Sequence, residues 1–231
     1  MEHFLRPEWT DSEGRELVIS PRAVHIWQIR PSNVFLRYLT SAEALRHEGI
    51  ANEEVKQSYG CSQGGLRKIV SLYRECFPKS VEIRRQTRGK PYVVGGPEFN
   101  LTHTAGRIFA ALASQPVGLD AESAARNVRA LALARKFFHA RESAGLESLG
   151  DQEKAVTFLR YWVCKEATVK LSGDGIYHGL RYAQVDLASD GRSRGHYKGR
   201  NVWLREFQPA EGLLAALASW EPLEMKSFFQ V

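Results

Sequence analysis

FLRYWVCKEATVKLSGDG, residues 158–175, is the stretch around which the rest of the chain is organised. At about 100° per residue, Trp162, Lys165, Glu166 and Val169 fall on one helical face with Lys170 at its margin, while Val156, Val163, Ala167 and Leu171 fall on the other. The spacing therefore predicts a buried helix with one packing face and one face that sets charge beside an aromatic ring. Asp151 is the expected N-cap, and Gly173-Asp174-Gly175 is the expected stop. Glu166 four residues before Lys170 is also an ordinary helix-stabilising pair, contributing about 0.2–0.5 kcal/mol. The helix alone leaves both readings open.

Working outward, residues 1–20 read as an irregular arm, and Val24, Ile26, Trp27 and Ile29 as a first strand closed by Pro31. Thr40 with Glu43 three residues on is a capping-box pattern for a helix ending near Gly49. A helical stretch from Asn52 to Tyr59 meets Gly60, Gly64 and Gly65, and Leu66, Ile69, Val70 and Tyr73 then recur at helical spacing up to Pro78. Val81, Ile83 and the run GKPYVVGGPEFN read as a short strand and tight turns. Arg107 to Ser114 is a further strand, and Val117 and Leu119 begin another that ends on Asp120 and Glu122. Ala124 to His139 is helical by propensity. Ala183–Leu187, Val202–Phe207 and Leu213–Ala218 close a sheet, and the Gly-rich run Asp190 to Gly199 reads as a mobile, solvated hairpin tip. IFAALAS (108–114) and LLAALAS (213–219) echo one another, in keeping with a fold that repeats its strand, helices, strands order.

With 231 residues, 43% apolar and 25% charged, the composition is that of a globular protein with one substantial core or two small ones. No cationic start followed by an apolar run opens the sequence, and apolar stretches such as Leu213–Ala218 are too short to cross a bilayer, so a cytoplasmic location and no membrane contact are expected. Cys61, Cys76 and Cys164 show neither zinc spacing nor a disulfide framework. The net charge of +6 favours an anionic ligand or an acidic partner. Nucleic acid is disfavoured, because the aromatics do not interleave with Arg and Lys as a stacking platform requires.

Three acids are candidates for one cation: Asp120 and Glu122, which point the same way along an extended segment, and Glu166 on the central helix. All-oxygen donors suit a hard ion such as Mg²⁺. Paired acids at a strand end also serve as caps or face solvent. Lys90 in the stiff turn Gly89-Lys90-Pro91, with Thr102 and His103 before Gly106, supplies donors for a pyrophosphate. For His103 the alternative is a hydrogen-bonded structural role.

GKP (Gly89–Pro91), FNLTHT (Phe99–Thr104), VGLDAE (Val117–Glu122) and WVCKEATVKLSGDG (Trp162–Gly175) stand in the order and approximate spacing of the 4′-phosphopantetheinyl transferases. The chain resembles their longer, surfactin-synthetase-activating type. That resemblance implies an α+β monomer of two similar α/β halves related by pseudo-twofold symmetry, each a small antiparallel sheet packed with helices. Residues 1–115 would carry coenzyme A contacts and residues 116–231 the metal site and central helix, with coenzyme A in the cleft between them. It also implies Mg²⁺-dependent transfer of the 4′-phosphopantetheine arm of coenzyme A to a serine of an acidic apo acyl or peptidyl carrier protein, releasing adenosine 3′,5′-bisphosphate.

By the same resemblance Asp120, Glu122 and Glu166 hold Mg²⁺, Glu166 is the base, and Lys170 neutralises the pyrophosphate. Glu142, in FFHARE, assists deprotonation, while Lys90, Thr102, His103, Lys165 and Arg46 bind the coenzyme; for Lys165, as for Trp162, a role in folding is the alternative. Thr102 departs from the serine of many relatives but keeps the hydroxyl. The helix with Arg126, Arg129 and Arg135 is expected to border the carrier-docking surface. The competing reading is a non-catalytic binding module for coenzyme A or carrier protein, which has no need of the full acidic set.

Overall fold

In the computed structural model, residues 4–12, 17–125 and 129–231 are described. They divide into an N-terminal unit, within 8–115 plus 224–231, and a C-terminal unit, within 116–223 plus 4–7. The chain thus changes units between 115 and 116, and its two ends each pack with the unit formed by the other half. A single cut at 115/116 does not anticipate that exchange.

The N-terminal unit runs β1 (Thr10–Asp11), β2 (Ala23–Ile29), a 3₁₀ turn (Asn33–Tyr38), α1 (Ser41–Glu48), α2 (Glu53–Arg74), β3 (Ile83–Arg85), β4 (Pro91–Val93), β5 (Glu98–Thr104) and β6 (Arg107–Ala113). The C-terminal unit runs β7 (Val117–Ser123), α3 (Ala130–Phe137), α4 (Ala140–Glu147), α5 (Asp151–Ser172), the short α6 (Ile176–Gly179), β8 (Ala183–Asp186), β9 (Arg194–Tyr197), β10 (Arg200–Phe207) and β11 (Leu213–Ser219). The chain ends in β12 (Glu224–Gln230), which rejoins the N-terminal sheet. The architecture is α+β.

In each unit a strand, β2 or β7, is followed by helices that include one of 22 residues, and a later strand, β6 or β11, returns antiparallel beside it. The C-terminal sheet, β7-β11-β10-β9-β8, is antiparallel throughout. The N-terminal sheet, β1-β12-β2-β6-β5, is mixed, because β12 runs parallel to both β1 and β2. The expectation of two antiparallel sheets is corrected there, since no sequence pattern marked β12 as a strand. Within 1–20, β1 likewise adds order to an arm read as irregular.

Local chemistry explains the helix boundaries. Thr40 and Glu43 close the expected capping box, Thr40 Oγ1 accepting from Glu43 N at 3.3 Å and Glu43 Oε2 from Thr40 N at 2.9 Å. The glycines after Tyr59 do not interrupt α2. They lie within it because a Cβ at Gly64 would stand 2.1 Å from the Phe35 carbonyl oxygen, and one at Gly65 2.6 Å from Ile29 Cγ2. Close approach, not a turn, is their reason. The helix expected from Ala124 to His139 is shorter: α3 ends at Phe137, Phe138 is extended, and α4 begins after His139. Positions 126–128 of that expectation, including Arg126, lie outside the described residues.

Helix α5 starts one residue earlier than predicted, on Gly150 as N-cap instead of Asp151, and ends on Gly173 at φ 76°, the left-handed conformation that glycine favours. It is more deeply buried than its amphipathic reading suggested. Trp162, Lys165 and Val169, assigned to the charged face, are buried along with Val163, Ala167 and Leu171, while Glu166 and Lys170 are half-buried. The Gly-rich run 190–199 is corrected too: it contains β9, and Ser193 is fully buried, donating to Glu206 at 2.7 Å.

The echo between 108–114 and 213–219 is out of register. In β6 the helix-facing core residues are Ile108, Ala110 and Leu112; in β11 they are Leu214, Ala216 and Ala218. A one-residue slip exchanges the faces of a strand, so the matched letters do not occupy matched environments. Among the described residues no helix is long and apolar enough to cross a membrane.

Candidate active site

In the C-terminal unit the site is built where α5 lies on β7. Gly118 permits that contact: a Cβ there would stand 1.9 Å from the Ala167 carbonyl oxygen and 2.5 Å from the Leu171 nitrogen. Alternate residues of a strand share a face, so Gly118, Asp120 and Glu122 all look toward α5. Lys170, from the last turn of α5, reaches across to Asp120, with Nζ 2.6 Å from Oδ1. Asp120 is only 3% exposed, and a carboxylate so enclosed needs a charged partner. Glu166 stands one turn before Lys170, half-buried.

This arrangement brings VGLDAE and WVCKEATVKLSGDG together, as their proposed joint role requires. It also adds an interaction that spacing did not show, since Asp120 and Lys170 pair with each other. Among the described residues no group of three or more His, Cys, Asp or Glu side chains stands arranged to hold a metal ion. The donor chemistry of Asp120, Glu122 and Glu166, carboxylate oxygen alone, nevertheless fits a hard divalent cation.

The rest of the α5 motif has structural partners. Lys165 has no exposed surface; its Nζ lies 2.7 Å from Glu142 Oε2 and donates to the carbonyl oxygens of Leu180 and Ala183. Burial pushes its amine below the usual lysine value, and the Glu142 carboxylate opposes that shift. Asp174, in the stop signal, accepts from Tyr197 Oη at 2.8 Å and from Lys198 Nζ at 2.7 Å, which ties the end of α5 to the β9–β10 turn. Arg160 forms a two-point pair with the buried Glu206 at 2.7 and 2.9 Å. Neither tie was legible in the sequence, because each joins residues that are distant along the chain.

In the N-terminal unit, Lys90 follows the turn closed by Gly89 N donating to Gln86 O at 2.8 Å. Burial lowers the pKa of its amine, partly offset by the Glu98 carboxylate. Thr102 and His103 are consecutive on β5, so they point to opposite faces. Thr102 is buried opposite Phe109, whereas His103 is exposed and opens on a cavity of about 170 Å³ that Glu54, Gln57, Ser58 and Cys61 of α2 also line. Arg46 is exposed in the last turn of α1, with its guanidinium 5.2 Å from the centre of the Tyr59 ring. Arg129 and Arg135 are exposed, and Arg135 pairs with Glu147 at 2.8 Å.

Residues 116–218, the span from β7 through β11, match the family described as the 4′-phosphopantetheinyl transferase superfamily. Over 95% of its length the chain is 30% identical to 4′-phosphopantetheinyl transferase HetI of Nostoc sp. strain PCC 7120, covering 98% of that protein. The chain belongs to the 4′-phosphopantetheinyl transferase family. Shorter matches join it to other members: psf-1 of Bacillus pumilus at 36% identity over 55% of each chain, and Sfp of Bacillus subtilis strain 168 at 28% over 55% of this chain and 57% of that one. In this transferase the family span holds Asp120, Glu122, Glu142, Lys165, Glu166 and Lys170, whereas Lys90, Thr102, His103 and Arg46 lie outside it.

Proposed function

We propose that this protein transfers the 4′-phosphopantetheine group of coenzyme A to a serine hydroxyl of an apo acyl or peptidyl carrier protein. The observation that carries the reading is the Lys170–Asp120 pair at 2.6 Å on the α5–β7 contact, which sets the ammonium of Lys170 against a buried carboxylate of β7, one helical turn from Glu166. A phosphoryl-type displacement needs little covalent help from a protein; it needs alignment, charge neutralisation and a base.

In the proposed reaction, Glu166 takes the proton from the carrier serine. The serine oxygen forms a bond to the phosphorus that bears the pantetheine arm, and the bond from that phosphorus to the bridging pyrophosphate oxygen breaks. Adenosine 3′,5′-bisphosphate leaves with the electron pair of that bond. Lys170 balances the charge that gathers on the leaving oxygen and releases it once protonated. Lys90 and His103 contribute charge and hydrogen-bond donors to the coenzyme, with Thr102 and Arg46 assigned to the same ligand. Asp120, Glu122 and Glu166 are the residues that would hold Mg²⁺, which supplies charge neutralisation to the pyrophosphate.

The reading extends to a monomer, to a carrier whose acidic surface complements the charge of +6, and to a cytoplasmic location in keeping with three free cysteines. Arg129 and Arg135 are proposed to border the docking surface. Their reversal to Glu is expected to raise the KM for the carrier and leave coenzyme A affinity unchanged.

The test is intact-mass spectrometry of an apo carrier protein incubated with the enzyme, coenzyme A and Mg²⁺. A phosphopantetheinyl mass gain, abolished by a chelator and restored by added Mg²⁺, is expected. Carriers from several pathways that all stay unmodified while coenzyme A still binds would overturn the reading in favour of a binding module.

A further inference from the structure

Glu142 is a carboxylate with three partners. Its Oε2 accepts from His139 N at 2.8 Å and meets Lys165 Nζ at 2.7 Å, and its Oε1 accepts from Val185 N at 2.8 Å. Lys165 also donates to the Leu180 and Ala183 carbonyls. One buried pair therefore joins the start of α4, the middle of α5 and the start of β8. Phe138 completes the enclosure, its ring centre 5.0 Å from Lys165 Nζ. With Glu142 at 6% and Lys165 at 0% exposure, both groups are enclosed within the unit.

The N-terminal unit contains the same device. Glu43 is the third residue of α1 and caps it, as Glu142 is the third residue of α4 and caps it. Arg67 is the fifteenth residue of α2 and Lys165 the fifteenth of α5. Arg67 grips both oxygens of Glu43 at 2.8 and 2.9 Å and donates to the Val81 carbonyl just beyond its helix, as Lys165 does to Leu180 and Ala183. A clamp that recurs where β2 carries no acids belongs to the scaffold and not to the chemistry.

We infer that Glu142 and Lys165 are positioning residues that fix the rotation of α5, and that neither touches the coenzyme or the carrier. The inference rests on the transferase reading and assigns these two residues a different part in it from the base-assisting and coenzyme-binding roles that resemblance implied. Glu166 is the next residue after Lys165, and Lys170 follows a turn later. On a helix about 10–12 Å across, a rotation of about 10° moves a surface carboxylate by about 1 Å. A displacement of that size at a reacting group costs on the order of a hundredfold in rate. A buried ion pair is a weak source of net stability, but losing one partner leaves a buried charge and frees the helix to turn.

The experiment compares E142Q, K165M and K165R with E43Q, reading Tm, coenzyme A affinity by calorimetry, and kcat and KM on an apo carrier. E142Q and K165M are expected to bind coenzyme A within about twofold of wild type and to lose on the order of a hundredfold in kcat. K165R is expected to recover most of that loss, since an arginine serves at the matching position of α2. E43Q is expected to lower Tm and leave kcat within about twofold. Where K165M does not fold, E142Q, which keeps an acceptor for Val185 N, carries the comparison.

Coenzyme A affinity weakened tenfold or more in K165M would make Lys165 a contact and overturn the inference. So would an E142Q enzyme that loses the acid limb of its pH–rate profile with Tm unchanged, which is the mark of a base, or folded variants with unaltered kcat. Failure of the transferase reading itself shows separately, as a wild type that modifies no carrier, and the affinity arm still separates contact from positioning in that case.

Discussion

The two units share a scaffold and differ in what they place between helix and sheet. On the helix-facing side of β2 stand His25, Trp27 and Ile29; on that of β7 stand Gly118, Asp120 and Glu122. The N-terminal unit fills the space with an aromatic core. Tyr73 of α2 accepts from Trp27 Nε1 at 2.9 Å and is hydrogen-bonded to His25 Nδ1 at 2.7 Å. The C-terminal unit places a carboxylate and the amine of Lys170 there instead. The residues that follow the clamp cation make the same contrast, Lys68 in α2 and Glu166 in α5. One architecture thus recurs in both units, and a few polar replacements give one of them the carboxylates and amine of the candidate site.

The largest effect that would sharpen this contrast is on the N-terminal clamp. R67M leaves Glu43 half-buried without its guanidinium, and breaking such a pair costs about 3–5 kcal/mol. A large drop in Tm with kcat per folded molecule preserved is expected; a selective loss of kcat would mean that the N-terminal scaffold takes part in catalysis.

Next in size is the pair of glycines at the helix–sheet contacts. In G118A the new methyl meets backbone of α5, so helix and strand must separate, at a cost of about 3 kcal/mol and with most of the activity lost. In G65A it meets the Cγ2 methyl of the Ile29 side chain instead of backbone, so a smaller loss, about 1–2 kcal/mol, is expected. Equal Tm losses in the two variants, measured by calorimetry, would show that the α5–β7 contact is no tighter than its counterpart.

The smallest effect separates the units by pH. Burial lowers the pKa of His25 below its ordinary 6.5, so the unfolded chain takes up the proton first on acidification. The stabilisation is complete above about pH 6.5 and fades as pH falls from there through the folded-state pKa. Hydrogen exchange is expected to show β2 and α2 losing protection before α5 between pH 7 and pH 5, and H25Q to remove that difference. Protection lost first in α5 would contradict it.

The placement of the candidate site's residues was largely legible because its motifs are local. Asp120 and Glu122 are two apart on a strand, Glu166 and Lys170 four apart on a helix, and each spacing fixes a shared face. The capping box at Thr40 was legible for the same reason. What stayed hidden depends on contacts between distant segments: the pairing of Lys170 with Asp120, the burial of Lys165 against Glu142, and the glycines of α2 that admit Phe35 and Ile29. Local propensity reads glycine as a break, and only the neighbour that it admits explains it as part of a helix. Thr102 and His103 were read as joint donors from adjacency, although adjacent residues of a strand face opposite ways. β12 was missed because its pairing is with β1 and β2, at the far end of the chain.

The most direct test sets matched positions of the two units against each other. Rates of phosphopantetheine transfer to an apo carrier, read by intact mass, are compared for E166Q and K68Q. Loss of the base and of a cation-site carboxylate is expected to lower kcat on the order of a thousandfold or more in E166Q, while K68Q stays within about twofold of wild type. An E166Q enzyme that retains its rate, or a K68Q enzyme as impaired as E166Q, would contradict the assignment of the chemistry to the C-terminal unit.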